Sequence, residues 1–323
     1  MRPEDTLRPV DEIQVLTSFA PDDVDAIARL AADIEADCGV VPFGDDAWTG
    51  IHQDPPGRDR GLVVRAPRSD GEAGVRVDAY AHLAHHHARE WALELAVRPG
   101  APDIRPALLA RGVELVAADG GGHVTLWAHG TEPADEVLAT SAGFVPEREL
   151  QQLRVPLPLA DPPRWPDGIT TRTFVPGRDE EAWVAVNNRA FAGHVEQGDW
   201  TIETLLEREA EPWFDAQGFL LAFDDDGLAG FCWTKIHPPQ PPAESLALGE
   251  IYVIGADPAR HGRGLGRALT TGGLASLSAR GITAGMLFVD GANTAAVGLY
   301  RSLGFTVHRV DRAFGRTIAS VSR

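Results

Sequence analysis

The sequence predicts an α/β fold, in the α+β sense of a mixed sheet flanked by helices, built as two tandem copies of one unit. Three observations predict it. Strand-like runs of β-branched and aromatic residues alternate with helix-like apolar rows at three- and four-residue spacing. The order strand, X-Pro break, helix, strand and Ser-x-Gly-Phe occurs twice, through 91–97, Pro99, 123–128 and 141–144, and again through 250–256, Pro258, 285–289 and 302–305. Between the copies lies the proline-rich stretch 156–166, which lacks periodicity. The expected organisation is a domain at 1–157, a linker at 158–167 and a second domain at 168–323, each with a mostly antiparallel central sheet.

In the first copy, residues 12–18 read as a strand and 21–34 as a helix with Val24, Ile27, Ala31 and Ile34 on one face. Residues 61–65 and 75–83 form a hairpin pair across the turn SDGEAG. His82, His85, His86 and His87 crowd together after it. They read as a metal site or as a polar strand end, and the second is favoured because metal ligands usually come from separate elements with carboxylate or Cys partners. A strand at 91–97, a helix reaching Ala110 and a strand at 123–128 complete this half.

The second half opens with a strand at 169–174, a helix at 179–191 burying Trp183, Val186 and Ala190, and a helix at 201–210. A hairpin joins 219–223 to 231–237 round the turn 224–227. Period-two alternation puts Phe231, Trp233, Lys235 and His237 on one face of their strand, and Glu250 with Tyr252 on one face of the next. Pairing of the two strands brings Lys235 and Glu250 to a common cleft edge, as an ion pair at a sheet end or as working groups. After Asp257-Pro258, the run Arg260-His261-Gly262-Arg263-Gly264-Leu265-Gly266 opens a helix along Leu265, Leu269, Gly273 and Leu277. Unbonded N–H groups at a helix start favour a phosphate, and the glycines let the backbone approach it. In the first copy Arg105-Pro106-Ala107 replaces Gly264 to Gly266, which removes one donor and adds side chains.

Composition narrows the function classes. A chain of 323 residues with a formal net charge of −18 excludes a partner bound through clustered basic residues, so neither nucleic acid nor an anionic membrane is expected. An anionic ligand must find a local positive patch, and Arg260, Arg263 and Arg267 make one beside the glycines. Lys235 is the single lysine, in a chain whose other side-chain cations are arginines and histidines, which suggests a need for a compact ammonium. Cys38 and Cys232 sit in apolar contexts that suit buried thiols in a reducing compartment. The polar amino-terminal run has no apolar signal core, and no run approaches a membrane span, so a cytoplasmic protein is expected.

The order Arg-x-x-x-Gly-x-Gly after a strand ending in Asp-Pro resembles the acetyl-CoA loop of the GNAT acetyltransferases. The run from Asn293 through Tyr300 to Gly304-Phe305 resembles that family's last helix and final strand. Within that superfamily, residues 187–200, Trp213-Phe214-Asp215, Trp233-Thr-Lys235-Ile-His237-Pro238 and Leu248-Gly-Glu250-Ile-Tyr252 look like the mycothiol synthases, with Trp127-Ala-His129-Gly130 and Arg148-Glu-Leu agreeing in the first half. The resemblance implies an N-acetyltransferase using acetyl-CoA as co-substrate, with no metal, and a small thiol-sugar acceptor, desacetylmycothiol, acetylated on its cysteinyl amine. A monomer is expected. Ile254, Gly255 and Ala256 would receive the thioester and pantetheine. His261, Gly262, Arg263, Gly264, Leu265, Gly266 and Arg267 would hold the pyrophosphate, and Asn293, Thr294, Ala295, Ala296, Val297 and Gly298 would line the rest of the CoA site. Asp45, Glu196, Lys235, Glu250 and Phe288 would face the acceptor. His261 stands where the family loop has Gln or Arg, and Phe288 where its strand offers tyrosine.

The expected chemistry uses Glu250 as a base through water, Tyr300 as the acid for the leaving thiolate, and a strand N–H freed by irregular pairing near Ile254 to Ala256 as oxyanion donor. Tyr300 could instead be a core residue beside Leu299 and Leu303. Two further classes stay open: a GNAT enzyme acting on another amine or a peptide amino terminus, and an acetyl-CoA sensor without catalysis.

Overall fold

A computed structural model describes residues 13–52, 57–67, 75–86, 89–101, 104–192, 198–239, 245–260 and 262–321. The chain divides into two compact units, Met1–Leu150 with Arg309–Arg323, and Gln151–His308. No helix among the described residues is long and apolar enough to cross a membrane.

The first unit carries the strands β1 (Gln14–Leu16), β2 (Arg60–Pro67), β3 (Val75–His85), β4 (Glu90–Val97), β5 (Gly122–Ala128), the opening of β6 (Val145–Pro156) and the end of β12 (Thr306–Ile318). Sheet order runs β1-β2-β3-β4-β5-β12, antiparallel except for the parallel pair β4 and β5. Alternation along β2 sends Val63 to one face and Leu62 with Val64 to the other. The first face is covered by α1 (Pro21–Cys38) and α2 (Asp45–His52), through Ile27, Leu30 and Ile51. The second is covered by α3 (Arg105–Ala118) and α4 (Pro133–Ser141), through Leu108, Leu109 and Ala139. Helix α1 starts with Pro21 at its first position and Asp22 and Asp23 in its first turn, and stops at the left-handed Gly39.

The second unit holds the remainder of β6, followed in sheet order by β11 (Ala284–Asp290), β10 (Leu248–Ala256), β9 (Gly227–His237), β8 (Phe219–Asp224) and β7 (Thr170–Thr173). Helices α7 (Leu265–Ala279) and α8 (Thr294–Ser302) pack on one face with Cys232, Ile251 and Leu287. On the other face, α5 (Glu180–Ala190) and α6 (Ile202–Glu209) enclose an aromatic core of Trp183, Trp200, Phe219, Phe231 and Trp233. Trp233 stacks on Phe219 with centroids 4.4 Å apart and meets Trp183 edge-on at 5.9 Å.

The division differs from the expected boundaries. The change of unit falls inside β6, between Leu150 and Gln151, rather than in the proline-rich stretch. The final strand also does not stay with the second half, because its residues Arg312 to Ile318 pair antiparallel with β5 and complete the first sheet. The polar sequence of β6, VPERELQQLRVP, gives no alternating signal that would have revealed a strand. Of the crowded histidines, the partly exposed His85 closes β3 as a polar strand end while His82 does not, and Cys38 is exposed whereas Cys232 is buried. His82 lies buried in β3, where its Nδ1 is hydrogen-bonded with the Tyr80 hydroxyl at 3.0 Å and its Nε2 faces the Asp59 carboxylate at 3.3 Å. Among the described residues no group of side chains has metal-site geometry, and His87 lies outside them.

Candidate active site

Strand β10 is held on both sides at its start and on one side at its end. It pairs in parallel with β11 from Gly249↔Gly285 to Ile251↔Leu287. Its antiparallel register with β9 continues to Ala256↔Gly230. The two neighbours therefore part company after Ile251, and the backbone beyond it lines an opening on the β11 side. A bulge sits at this point, since Ile251 pairs with Thr234 and Val253 with Trp233, leaving Tyr252 as the extra residue. The expected irregularity near Ile254 to Ala256 is thus two residues earlier, and those three residues pair regularly with Cys232 to Gly230. Asp257 donates its N–H to Ala229 O at 2.9 Å. Counting back by twos turns the polar groups of Gly255 towards β9 and those of Ile254 towards the opening. Gly255 also answers a packing need: a Cβ there would lie 2.9 Å from Phe231 and 3.1 Å from Ala190 of α5.

Glu250 and Lys235 are direct register partners, so their side chains share the sheet face that α5 and α6 cover. They do not form the ion pair considered from sequence. Glu250 is buried, and its Oε2 accepts from His237 Nε2 at 2.7 Å. The Lys235 ammonium stands 4.7 Å over the Trp213 ring and 5.6 Å from the Tyr252 ring, and makes no ion pair among the described residues. Phe288 lies two residues beyond Met286, the β11 partner of Glu250, and so shares its face; it is 37% exposed, enough to meet a ligand. Asp45 opens α2 in the first unit; its side chain, Glu196 and His261 lie outside the described residues.

The turn leading into α7 is fixed by left-handed glycines. Gly262 has φ 77° and Gly264, the residue capping α7, has φ 81°, a region that side chains disfavour. The first bond of the helix ladder runs from Ala268 N–H to Gly264 O at 3.2 Å, which leaves the N–H groups of Leu265, Gly266 and Arg267 outside it. Of the three arginines expected to form a positive patch, Arg260 is withdrawn. It donates to Asp224 from Nε at 3.1 Å and stands 3.5 Å from Asp257, so it braces the turn instead. Asp257, in turn, accepts from Arg189 of α5 at 2.7 Å. Burial pushes the Asp257 carboxyl up, but Arg189 and its other donors hold it below the ordinary carboxylate value. Arg263 is exposed and makes no ion pair among the described residues; Arg267 donates to Ser302. Leu265 and Val297, both expected to touch the ligand, are core side chains, so only their backbone groups reach outward.

Helix α8 is capped by Asn293, whose Oδ1 accepts from Ala296 N–H at 3.1 Å. Thr294, Ala295 and Gly298 are exposed along this helix start. One turn further on, Tyr300 is buried against Phe305, with ring centroids 5.6 Å apart. Burial, with a smaller contribution from the nearby Cys232 thiol, pushes the phenol up to about 12, so it stays protonated near neutral pH. Its hydroxyl has no hydrogen-bond partner among the described residues. Cys232 is the register partner of Ile254, which locates Tyr300 beside the opening in the strand. Core packing and an unengaged hydroxyl therefore coexist in this residue among the described residues.

The corresponding part of the first unit is built differently. Strand β4 pairs with β5 over five residues, from Glu90↔His123 to Glu94↔Trp127, and meets β3 without a bulge. Helix α3 begins at Arg105 with Ile104 before it at φ −90°, and Arg105 pairs with Asp135 at 3.0 Å. Sequence reasoning missed one feature here. His129 is clamped between Glu94 at 3.1 Å and Asp311 at 3.4 Å, all three buried or nearly so. Asp311 comes from the returning end of β12, which is why no local pattern disclosed it.

The model of the acetyltransferase (GNAT) family matches residues 169–305. The chain is 45% identical over 306 residues to a mycothiol acetyltransferase of Thermobispora bispora, covering 94% of this chain and 99% of that one. It is 42% identical over 303 residues to a mycothiol acetyltransferase of Frankia alni, covering 90% and 91%. Among solved structures, a GCN5-related N-acetyltransferase from Sphaerobacter thermophilus superposes with a TM-score of 0.71 at 25% identity over 97% of this chain and 98% of that one. A tandem GNAT protein from the clavulanic acid biosynthesis pathway superposes with a TM-score of 0.70 at 20% identity over 96% and 100%, a likeness of fold.

Proposed function

The chain belongs to the mycothiol acetyltransferases of the GNAT family, and from that premise we propose how its second unit works. The enzyme acetylates the cysteinyl amine of desacetylmycothiol to give mycothiol, and the residues around β10 divide the work. Acetyl-CoA lies along the opening where β10 leaves β11, its thioester beside Ile254 and its pyrophosphate at the start of α7. The unbonded N–H groups of Leu265 to Arg267, the positive end of the helix dipole and the exposed Arg263 guanidinium all suit that anion. Asn293 to Gly298 flank the rest of the carrier.

The acceptor occupies the face of the second unit that carries Glu250, Lys235, Tyr252 and Phe288. Its amine must be neutral to attack, and an α-amino group near pKa 8 gives up its proton readily. Glu250 takes that proton, directly or through a water. As the thioester carbon becomes tetrahedral, its oxygen gains charge, and the outward N–H of Ile254 is positioned to donate to it. The departing thiolate of CoA then takes a proton from Tyr300, whose hydroxyl has no partner among the described residues, and the second proton of the attacking nitrogen restores the phenol as the amide forms. A protonated phenol is the state an acid requires.

The observation that carries this reading is the parting of β10 from β11 directly after the residue following Glu250, which sets the base at the mouth of the opening. The test is thiol release from acetyl-CoA with desacetylmycothiol against a panel of simple amines, the acceptor's own thiol being subtracted. Preference for desacetylmycothiol is expected; equal rates with every amine would overturn the acceptor assignment.

A further inference from the structure

The proton-accepting oxygen of Glu250 is not left free to choose its orientation. We propose that His237 is a positioning residue for the reaction: its Nε2–H holds Oε2 of Glu250, so that Oε1 alone faces the acceptor amine. This rests on the reading of Glu250 as the base. The distance is 2.7 Å, the length of a charge-assisted hydrogen bond. A carboxylate only accepts, which assigns the proton on this ring to Nε2. Oε1 has no partner among the described residues.

The backbone explains why a histidine two residues past Lys235 can do this. His237 pairs in register with Leu248, and Lys235 with Glu250, so the side chains of 235, 237 and 250 leave the same face of two adjacent strands. Lys235, the direct register partner, is drawn aside over Trp213 and Tyr252. That leaves the imidazole as the donor to Glu250. The His237 side chain is 31% exposed against 10% for Glu250, so the donor stands nearer solvent than the base. A glutamate has three rotatable bonds, and fixing it before the substrate arrives removes the need to order it in the transition state.

The test uses the full chain with His237→Leu and His237→Gln, the second of which can place an amide donor near the Nε2 position. His237→Leu is expected to lower kcat roughly 10- to 100-fold, the range for loss of a hydrogen bond to a charged group, with the KM for acetyl-CoA unchanged. His237→Gln should recover most of that loss. In a Glu250→Gln background, His237→Leu should cost nothing further, because a positioning residue acts only through the group it holds. A His237→Leu rate within twofold of the parent overturns the proposal, as does a His237→Gln enzyme no faster than the leucine variant. If the leucine variant unfolds, the comparison is made between His237→Gln and the Glu250→Gln/His237→Gln pair, where an added loss from His237→Gln in the Glu250→Gln background overturns it. A parent protein that transfers no acetyl group would instead fail the acetyltransferase reading itself, which separates the two outcomes.

Discussion

Lys235 and Glu250 stand opposite each other in register on adjacent antiparallel strands, and each is engaged elsewhere: the ammonium over Trp213 at 4.7 Å, the carboxylate with His237 at 2.7 Å. An ion pair would tie up both charges. Under the proposed roles, separate partners keep the carboxylate available as a base and the ammonium available to an acceptor.

Removing the two groups assigned to proton transfer should separate chemistry from binding. Glu250→Gln is expected to lower kcat by about 100-fold or more, in the range for loss of general base catalysis, with the acetyl-CoA dissociation constant unchanged. Tyr300→Phe should slow the chemical step, read by single-turnover acetyl transfer. Because the phenol sits at about 12, it should add no limb to the pH–rate profile in the neutral range. Full activity in both variants would remove these assignments.

The arginines of the glycine turn should behave differently from one another. Arg263→Ala is expected to weaken acetyl-CoA binding roughly 10-fold, the loss of one charge-assisted contact, without changing the thermal midpoint. Arg260→Ala should lower the midpoint, because Asp224 and Asp257 lose their shared partner. Calorimetric titration and thermal unfolding of both variants read the contrast; equal effects on binding would refute it.

Helix α7 lies against β9 closely enough that residue 273 must be small. A Cβ on Gly273 would stand 2.4 Å from the Cys232 sulfur. Gly273→Ala is expected to cost about 1–3 kcal/mol by overpacking. Cys232→Ala in the same chain should return much of it by removing the sulfur, measured by denaturant unfolding. Additive losses would contradict this geometry.

The buried His129 clamp should give a stability slope with pH. Burial lowers the affinity of His129 for a proton, but its hydrogen bonds to Asp311 and Glu94, and their charges, outweigh it and lift the value from 6.5 to about 9. A value raised in the folded state stabilises fully below the unfolded value and fades as pH rises through the folded one. Stability should therefore fall between about pH 6.5 and 9, by on the order of 3 kcal/mol. His129→Gln should flatten that slope. An unchanged slope in the variant would assign it to other groups.

Much of this protein was legible along the chain, because local rules govern it. The two-copy order, the strand at Glu250, the glycine turn before α7 and the Asn293 cap follow from side-chain alternation, backbone freedom and capping chemistry, each spanning a few residues. The family likeness likewise resides in contiguous runs such as Trp233 to His237. What only the tertiary structure decided involves residues far apart in sequence. The return of β12 to β5, the clamp of Asp311 on His129, the withdrawal of Arg260 to Asp224 and the choice of His237 over Lys235 as partner of Glu250 depend on register and on which partner is geometrically nearest. The bulge at Tyr252 lies two residues before the irregularity expected from sequence, and a strand pattern with period two cannot report such a position. Spacing names the residue types that meet, and packing selects among the partners they then have.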